Sequence, residues 1–145
     1  MKQEKGITLT SLCVFLVVLT IVMGSLAVLT NFFNEHFSYM HNSGKNAGEF
    51  TKFNLAFLSD VQTSNIKVNS ITNSQIEFSN GSKYTYKNEK IFRNGEVLAN
   101  NVKQMSFTKE DKQVDNSTLT IVKVSILVGD KYSFNKTIEY TLKNY

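Results

Sequence analysis

Proline and tryptophan are absent from this chain, and cysteine occurs once, as Cys13. A lone cysteine closes no disulfide within one chain, so the fold rests on packing alone. The missing proline accompanies an abundance of Asn, Ser, Thr and Lys. An AT-rich genome produces that bias by itself, and it carries little structural weight. Histidine is scarce: His36 and His41 stand five residues apart, poor spacing for a shared metal site on a helix, and Glu35 points off another part of it. Glu110, Asp111 and Asp115 gather oxygen ligands, but Lys109 and Lys112 interleave them and the glycine of a calcium loop is missing. No metal site and no cofactor are expected. No glycine-rich phosphate loop, nucleophile elbow or zinc motif is present, which argues against an enzyme. Neither sign of charge dominates. Of 16 Lys and Arg and 12 Asp and Glu, only Lys2, Lys5 and Glu4 precede the apolar N-terminal run, leaving 14 against 11 behind it. That excess is spread along the chain, unlike the clustered footprint of a nucleic-acid binder.

The longest absence is of charge between Ile7 and Leu29. The run ITLTSLCVFLVVLTIVMGSLAVL holds 23 residues. As a helix it spans roughly 34 Å, enough for a ~30 Å hydrocarbon core. Its Ser and Thr hydroxyls can bond back to the preceding turn, which lipid tolerates. Lys2 and Lys5 lie before it, and the first positive residue behind it is Lys45. The positive-inside rule then keeps the N-terminus cytoplasmic and places the rest outside, in a single pass of the cell membrane. Two plain readings compete. A secretory signal peptide would end at the small-x-small pattern Ser25-Leu26-Ala27, with cleavage after Ala27. A simple signal anchor would keep the whole segment.

A third reading comes from the junction Lys5-Gly6 against Ile7-Thr8-Leu9. A basic leader ending in glycine, directly before a long uncharged helix, resembles the class III leader of type IV prepilins and pseudopilins. The resemblance implies cleavage by a prepilin peptidase between Gly6 and Ile7, N-methylation of Ile7, and retention of the apolar helix as the core of a filament. It implies as partners other pilin-like subunits, the peptidase, an assembly platform protein with its ATPase, and the lipid bilayer. One position departs from the family. Its glutamate at the fifth residue after the cut is Ser11 here, and serine cannot pair with a neighbour's N-terminal amine. The departure fits a minor, initiating or tip subunit, or a clade that assembles differently.

Behind Leu29, Phe33, Phe37 and Met40 recur at helical spacing, with Phe32 and His36 beside them, and prolong the membrane helix as a stalk. Asn42-Ser43-Gly44 predicts a break. A second, amphipathic helix follows, with Phe50, Phe53, Phe57 and Val61 as one stripe and Ala47, Ala56 and Leu58 near it.

From Ile66 onward the apolar residues alternate and turns recur. Ile76 and Phe78 precede the hairpin signal Asn80-Gly81; Tyr84 and Tyr86 form the next strand. Ile91-Phe92-Arg93, Asn94-Gly95 and Val97-Leu98 read as a second hairpin. Val102, Met105 and Phe107 mark a less regular strand. Lys109 to Ser117 reads as an exposed loop. Leu119 to Val128 reads as a central strand with one bulge, and Gly129-Asp130 turns it into Tyr132–Leu142. The expected fold is α+β: a membrane helix continuing into a stalk, a second amphipathic helix, and an antiparallel β-meander. The expected divisions are a leader at 1–6, the transmembrane helix at 7–29, stalk and second helix at 30–65, and an extracytoplasmic β domain at 66–145.

The order of these β signals also resembles the β domain of minor pseudopilins of the J-like type and their Gram-positive competence counterparts. They share an apolar strand, an Asn-Gly turn, a tyrosine strand, a short strand ending in Arg93-Asn94-Gly95, and the strand opened by Asn101-Val102. The expected function is that of a minor pilin or pseudopilin in a type IV pilus, a type II secretion pseudopilus or a competence pseudopilus. In the last of these DNA is a partner only indirectly. The rival is a signal-anchored or secreted surface protein that binds a ligand through its β domain.

Overall fold

The computed structural model describes residues 9–114 and 117–142. Lys2, Lys5, Gly6, Ile7 and Asp115 lie outside the described residues. The chain comprises two compact units, Met1–Met40 and His41–Tyr145, and its architecture is α+β. Among the described residues one helix, α1 (Leu9–Val61), precedes eight strands. They are β1 (Val68–Thr72), β2 (Gln75–Phe78), β3 (Lys83–Lys87), β4 (Lys90–Arg93), β5 (Glu96–Ala99), β6 (Val102–Val114), β7 (Ser117–Val128) and β8 (Phe134–Leu142). All pairings are antiparallel.

Within the first unit α1 carries the uncharged run. Thr20, Ser25 and Thr30 return their hydroxyls to the carbonyls of Val17, Ile21 and Leu26 at 2.8, 2.9 and 2.9 Å. These hydroxyls are thereby satisfied without water. Every large apolar side chain described from Leu9 to Met40 is exposed.

The expected break at Asn42-Ser43-Gly44 is absent, and so is a separate second helix: these residues are helical inside α1. One interior glycine costs only about 1 kcal/mol relative to alanine. The following turns recover more by burying Asn46, Glu49, Phe50, Phe53, Phe57, Asp60 and Val61. Phe50, Phe53, Phe57 and Val61 among them are the stripe the sequence predicts, on an uninterrupted helix.

The meander is likewise two sheets: β1 to β5 in sequence order, then β6, β7 and β8. They separate at Asn100-Asn101. There Asn101 has φ of 57°, and the Asn100 amide donates to Glu49 of α1 at 2.7 Å. A helix side chain thus takes up backbone at the very point where the next strand of a single sheet would start. The β4–β5 hairpin turns at Asn94-Gly95, with φ of 53° and 89°, as the Asn-Gly signal requires.

Two further expectations are corrected. Lys109 to Gln113 is strand, not loop, with Glu110 opposite Ile121 and Lys112 opposite Leu119. These polar residues face solvent and are held by ion pairs: Lys123 to Glu110 at 3.0 Å and Lys109 to Asp111 at 2.8 Å. β7 is central, but its register with β8 is unbroken from Thr120 to Val128. The irregularity lies instead in β6, between Val102 and Gln104. Apolar residues on both faces of β7 (Ile121 and Leu127 on one, Val122, Val124, Ile126 and Val128 on the other) imitate a bulge in sequence.

Phe53 and Phe57 of α1 sit between the sheets with no exposed surface. The Phe57 ring centroid lies 5.4 and 4.9 Å from those of Phe78 and Tyr84 in the five-stranded sheet. It lies 6.2 and 4.7 Å from Phe107 and Tyr140 in the three-stranded one. One helix stripe therefore joins both sheets into one core.

Candidate functional site

The first candidate feature is the first part of α1. It is long and apolar enough to cross a membrane, and burial inside the protein does not account for it. Ser11, Gly24, Ser25 and Ala27 lie exposed along it. These small residues permit close approach of another helix where lipid gives no hydrophobic drive. Ser11 presents a hydroxyl, so no carboxylate is available there to meet an amine. Cys13 is exposed on the same segment.

Beyond the apolar run, the His36 and Phe32 rings meet edge to face at 4.3 Å. Among the described residues no three His, Cys, Asp or Glu side chains converge as a metal site would need. Glu110 and Asp111 spend their carboxylates on Lys123 and Lys109.

Three polar contacts tie the second part of α1 to the strands, and the sequence reading missed them all. The first is built on Asp60, in the last turn of the helix. Its Oδ2 accepts from the Tyr84 hydroxyl at 2.5 Å and from Arg93 Nε at 3.0 Å, and its Oδ1 accepts from Arg93 Nη2 at 2.7 Å. A carboxylate at a helix C-terminus opposes the macrodipole, and the two-pronged guanidinium offsets that. The second joins Asn46, Asn101 and the loop before β8. Asn46 Nδ2 donates to the Tyr132 carbonyl at 2.8 Å, while Asn101 Nδ2 donates to Asn46 Oδ1 at 3.2 Å. Gly129 (φ 84°) lies against this amide, and a Cβ there would overlap it. The third is Glu49, which holds Asn100 and Lys52. Burial pushes the Glu49 carboxyl up, but the bonds from Lys52 and the Asn100 amide outweigh it and hold the group below its ordinary range. The one signal in sequence was polar residues falling on an otherwise apolar stripe, at Asn46, Glu49 and Asp60.

Two buried tyrosines give a pH prediction. Burial, then the hydrogen bond to Asp60, raises the Tyr84 phenol well above its ordinary value. Burial pushes Tyr140 up to about 12, and its hydroxyl donates to Asn54 at 2.6 Å. In the unfolded chain both phenols lose their protons near pH 10. Above that pH the folded state binds more protons than the unfolded state, so stability falls. The contribution of both groups is fully present below pH 10; that of Tyr140 is lost as pH rises through about 12, and that of Tyr84 goes on falling above it. Alkaline titration should show Tyr84 and Tyr140 ionising only together with loss of the β circular-dichroism signal. Phenolate absorbance accounting for all six tyrosines before that loss would contradict the burial.

A depression of about 600 Å³ opens between the end of α1 and β8, lined by Leu58, Val61, Gln62, Glu139, Tyr140 and neighbours. Among the described residues its ionisable groups are Glu139, already paired with Lys123 at 3.2 Å, and the Tyr140 phenol. No catalytic constellation is built there.

Comparison with known protein families, with curated proteins and with solved structures finds no match to this chain.

Proposed function

We propose that the chain is a minor pilin or pseudopilin: a structural subunit of a surface filament, processed by a prepilin peptidase after Gly6. The observation that carries the reading is the continuity of α1. The helix runs without interruption from the exposed apolar residues at Leu9 through Ala27 to the buried stripe ending at Val61. A signal peptidase cut after Ala27 would fall inside regular helix, where Ser25 bonds back to Ile21. A cut after Gly6 leaves that helix whole. The long apolar helix followed by antiparallel sheets is compatible with a pilin-like architecture.

In this reading the N-terminus is cytoplasmic and the strands are extracytoplasmic. The subunit waits in the bilayer because moving α1 into water exposes many side chains, each worth about 1 kcal/mol or more when buried. An assembly ATPase and a platform protein then draw it among other pilin-like subunits. Ser11 in place of the family's glutamate fits a minor, initiating or tip position, where no amine needs a partner, or a clade that assembles differently.

The reading is tested by Gly6→Asp in cells that express a prepilin peptidase. The native chain should convert to a shorter form, and the variant should stay full length and outside the filament. If native chain and variant have the same length and the same location, the protein is a static anchor or a conventionally secreted surface protein.

A further inference from the structure

The lysines that are dispersed in sequence are sorted by the fold. On the three-stranded sheet Lys109, Lys112 and Lys123 each reach a carboxylate, as does Lys103 at its start, while Lys136 of β8 lies over the Phe50 ring at 5.8 Å. The five-stranded sheet is different. Its inner face buries Ile76, Phe78, Tyr84 and Ile91, so the alternate residues Lys83, Thr85 and Lys87 of β3 and Lys90 and Phe92 of β4 face outward. None of Lys83, Lys87 and Lys90 forms an ion pair among the described residues. Glu77 stands opposite Lys83 in the register and forms no ion pair with it among the described residues.

Lys87 and Lys90 are directly opposite each other across the Asn88-Glu89 turn. Like charges so placed destabilise a hairpin. The carboxylate that could relieve them, Glu89, is taken by Lys103 at 2.8 Å. Midway between Lys83 and Lys87, which strand geometry sets about 13 Å apart, Thr85 pairs with Phe92, and Phe92 pairs with Val97. Val97 is 49% exposed, and a depression of about 510 Å³ is lined by Lys83, Thr85, Lys87, Phe92 and Gly95.

We propose that this sheet face binds single-stranded nucleic acid, with the three lysines on phosphates and the Phe92 ring stacked on a base. Unpaired lysines crowded on one face call for a polyanion. The aromatic ring set among them selects one with exposed planar bases, because a ring on a sheet surface stacks on unpaired bases and not on a closed duplex. The inference goes beyond the filament reading and does not depend on cleavage at Gly6.

The test uses the full chain in neutral detergent micelles and a fluorescent oligo-deoxythymidine, with duplex DNA and heparin as competitors. The oligonucleotide should bind with a steep salt dependence and should resist both competitors. Replacing Lys83, Lys87 and Lys90 by glutamine should flatten the log–log salt slope by about 2, at roughly 0.7 per lost phosphate contact. Phe92→Leu keeps an apolar side chain in the sheet and should weaken binding about tenfold with the slope unchanged. Lys109→Gln with Lys112→Gln should change neither quantity, and Gly6→Asp should bind as the native chain does. The proposal is overturned by the absence of binding at low salt, or by unchanged affinity in the lysine variant. It is equally overturned if heparin or duplex competes fully while Phe92→Leu binds like the native chain, which would mark a general polyanion surface.

Discussion

Phe57→Ala should cost about 3–5 kcal/mol, the largest effect expected of any single substitution. The ring is fully buried and meets Phe53, Phe78, Tyr84, Phe107 and Tyr140. Its removal opens a cavity where α1 and both sheets meet, and it deletes aromatic pairs worth roughly 0.5–1.5 kcal/mol each beyond area burial. Domains of this size are stable by only about 5–15 kcal/mol. Thermal melts should show Tm lowered by roughly 15 °C or more, with the β unit turned protease-sensitive. Phe57→Leu, which refills much of the space, should lose less than half as much. A Phe57→Ala melt within a few degrees of the native one would mean that the sheets hold each other without the helix.

Asp60→Ala is the second large effect, at about 3 kcal/mol. The carboxylate is 6% exposed and accepts three hydrogen bonds. Its loss leaves the buried Tyr84 hydroxyl without an acceptor and the Arg93 guanidinium without its fork. An unsatisfied buried donor costs more than the bond contributed, so adding Tyr84→Phe to Asp60→Ala should recover part of the loss. Arg93 is itself partly exposed, so Arg93→Ala alone should cost less than Asp60→Ala. Denaturant unfolding of the native chain, Asp60→Ala, Tyr84→Phe and the double variant gives the coupling energy. Strict additivity of Asp60→Ala and Tyr84→Phe would contradict the cluster.

The apolar stripe from Phe50 to Val61 was legible because period and burial coincide. The Asn-Gly hairpins were legible because only a few residues accept positive φ. The α+β class follows from those two patterns. What the sequence hid was set by distance in the fold. Helix continuity through Gly44 depends on burial several turns later, which local propensity at Asn42-Ser43-Gly44 does not register. The division into two sheets depends on Glu49 reaching Asn100, a contact 51 residues apart. The Lys109–Gln113 segment reads as loop because its partners, such as Lys123, lie on another strand. The same holds for the candidate sites. That the uncharged run is long and apolar enough to cross a membrane was legible through composition alone. The lysine face around Phe92 did not, since residues that are neighbours across strands are scattered in the chain.

The account turns on the fate of the first helix, and intact-mass analysis of the mature protein tests it most directly. The protein should be recovered from membranes or filaments of cells that contain a prepilin peptidase. The expected product begins at Ile7, carries a methyl group on its amine, and retains all of α1. A product beginning at Val28 and released in soluble form would contradict the account, and so would a chain still beginning at Met1 in the presence of active peptidase.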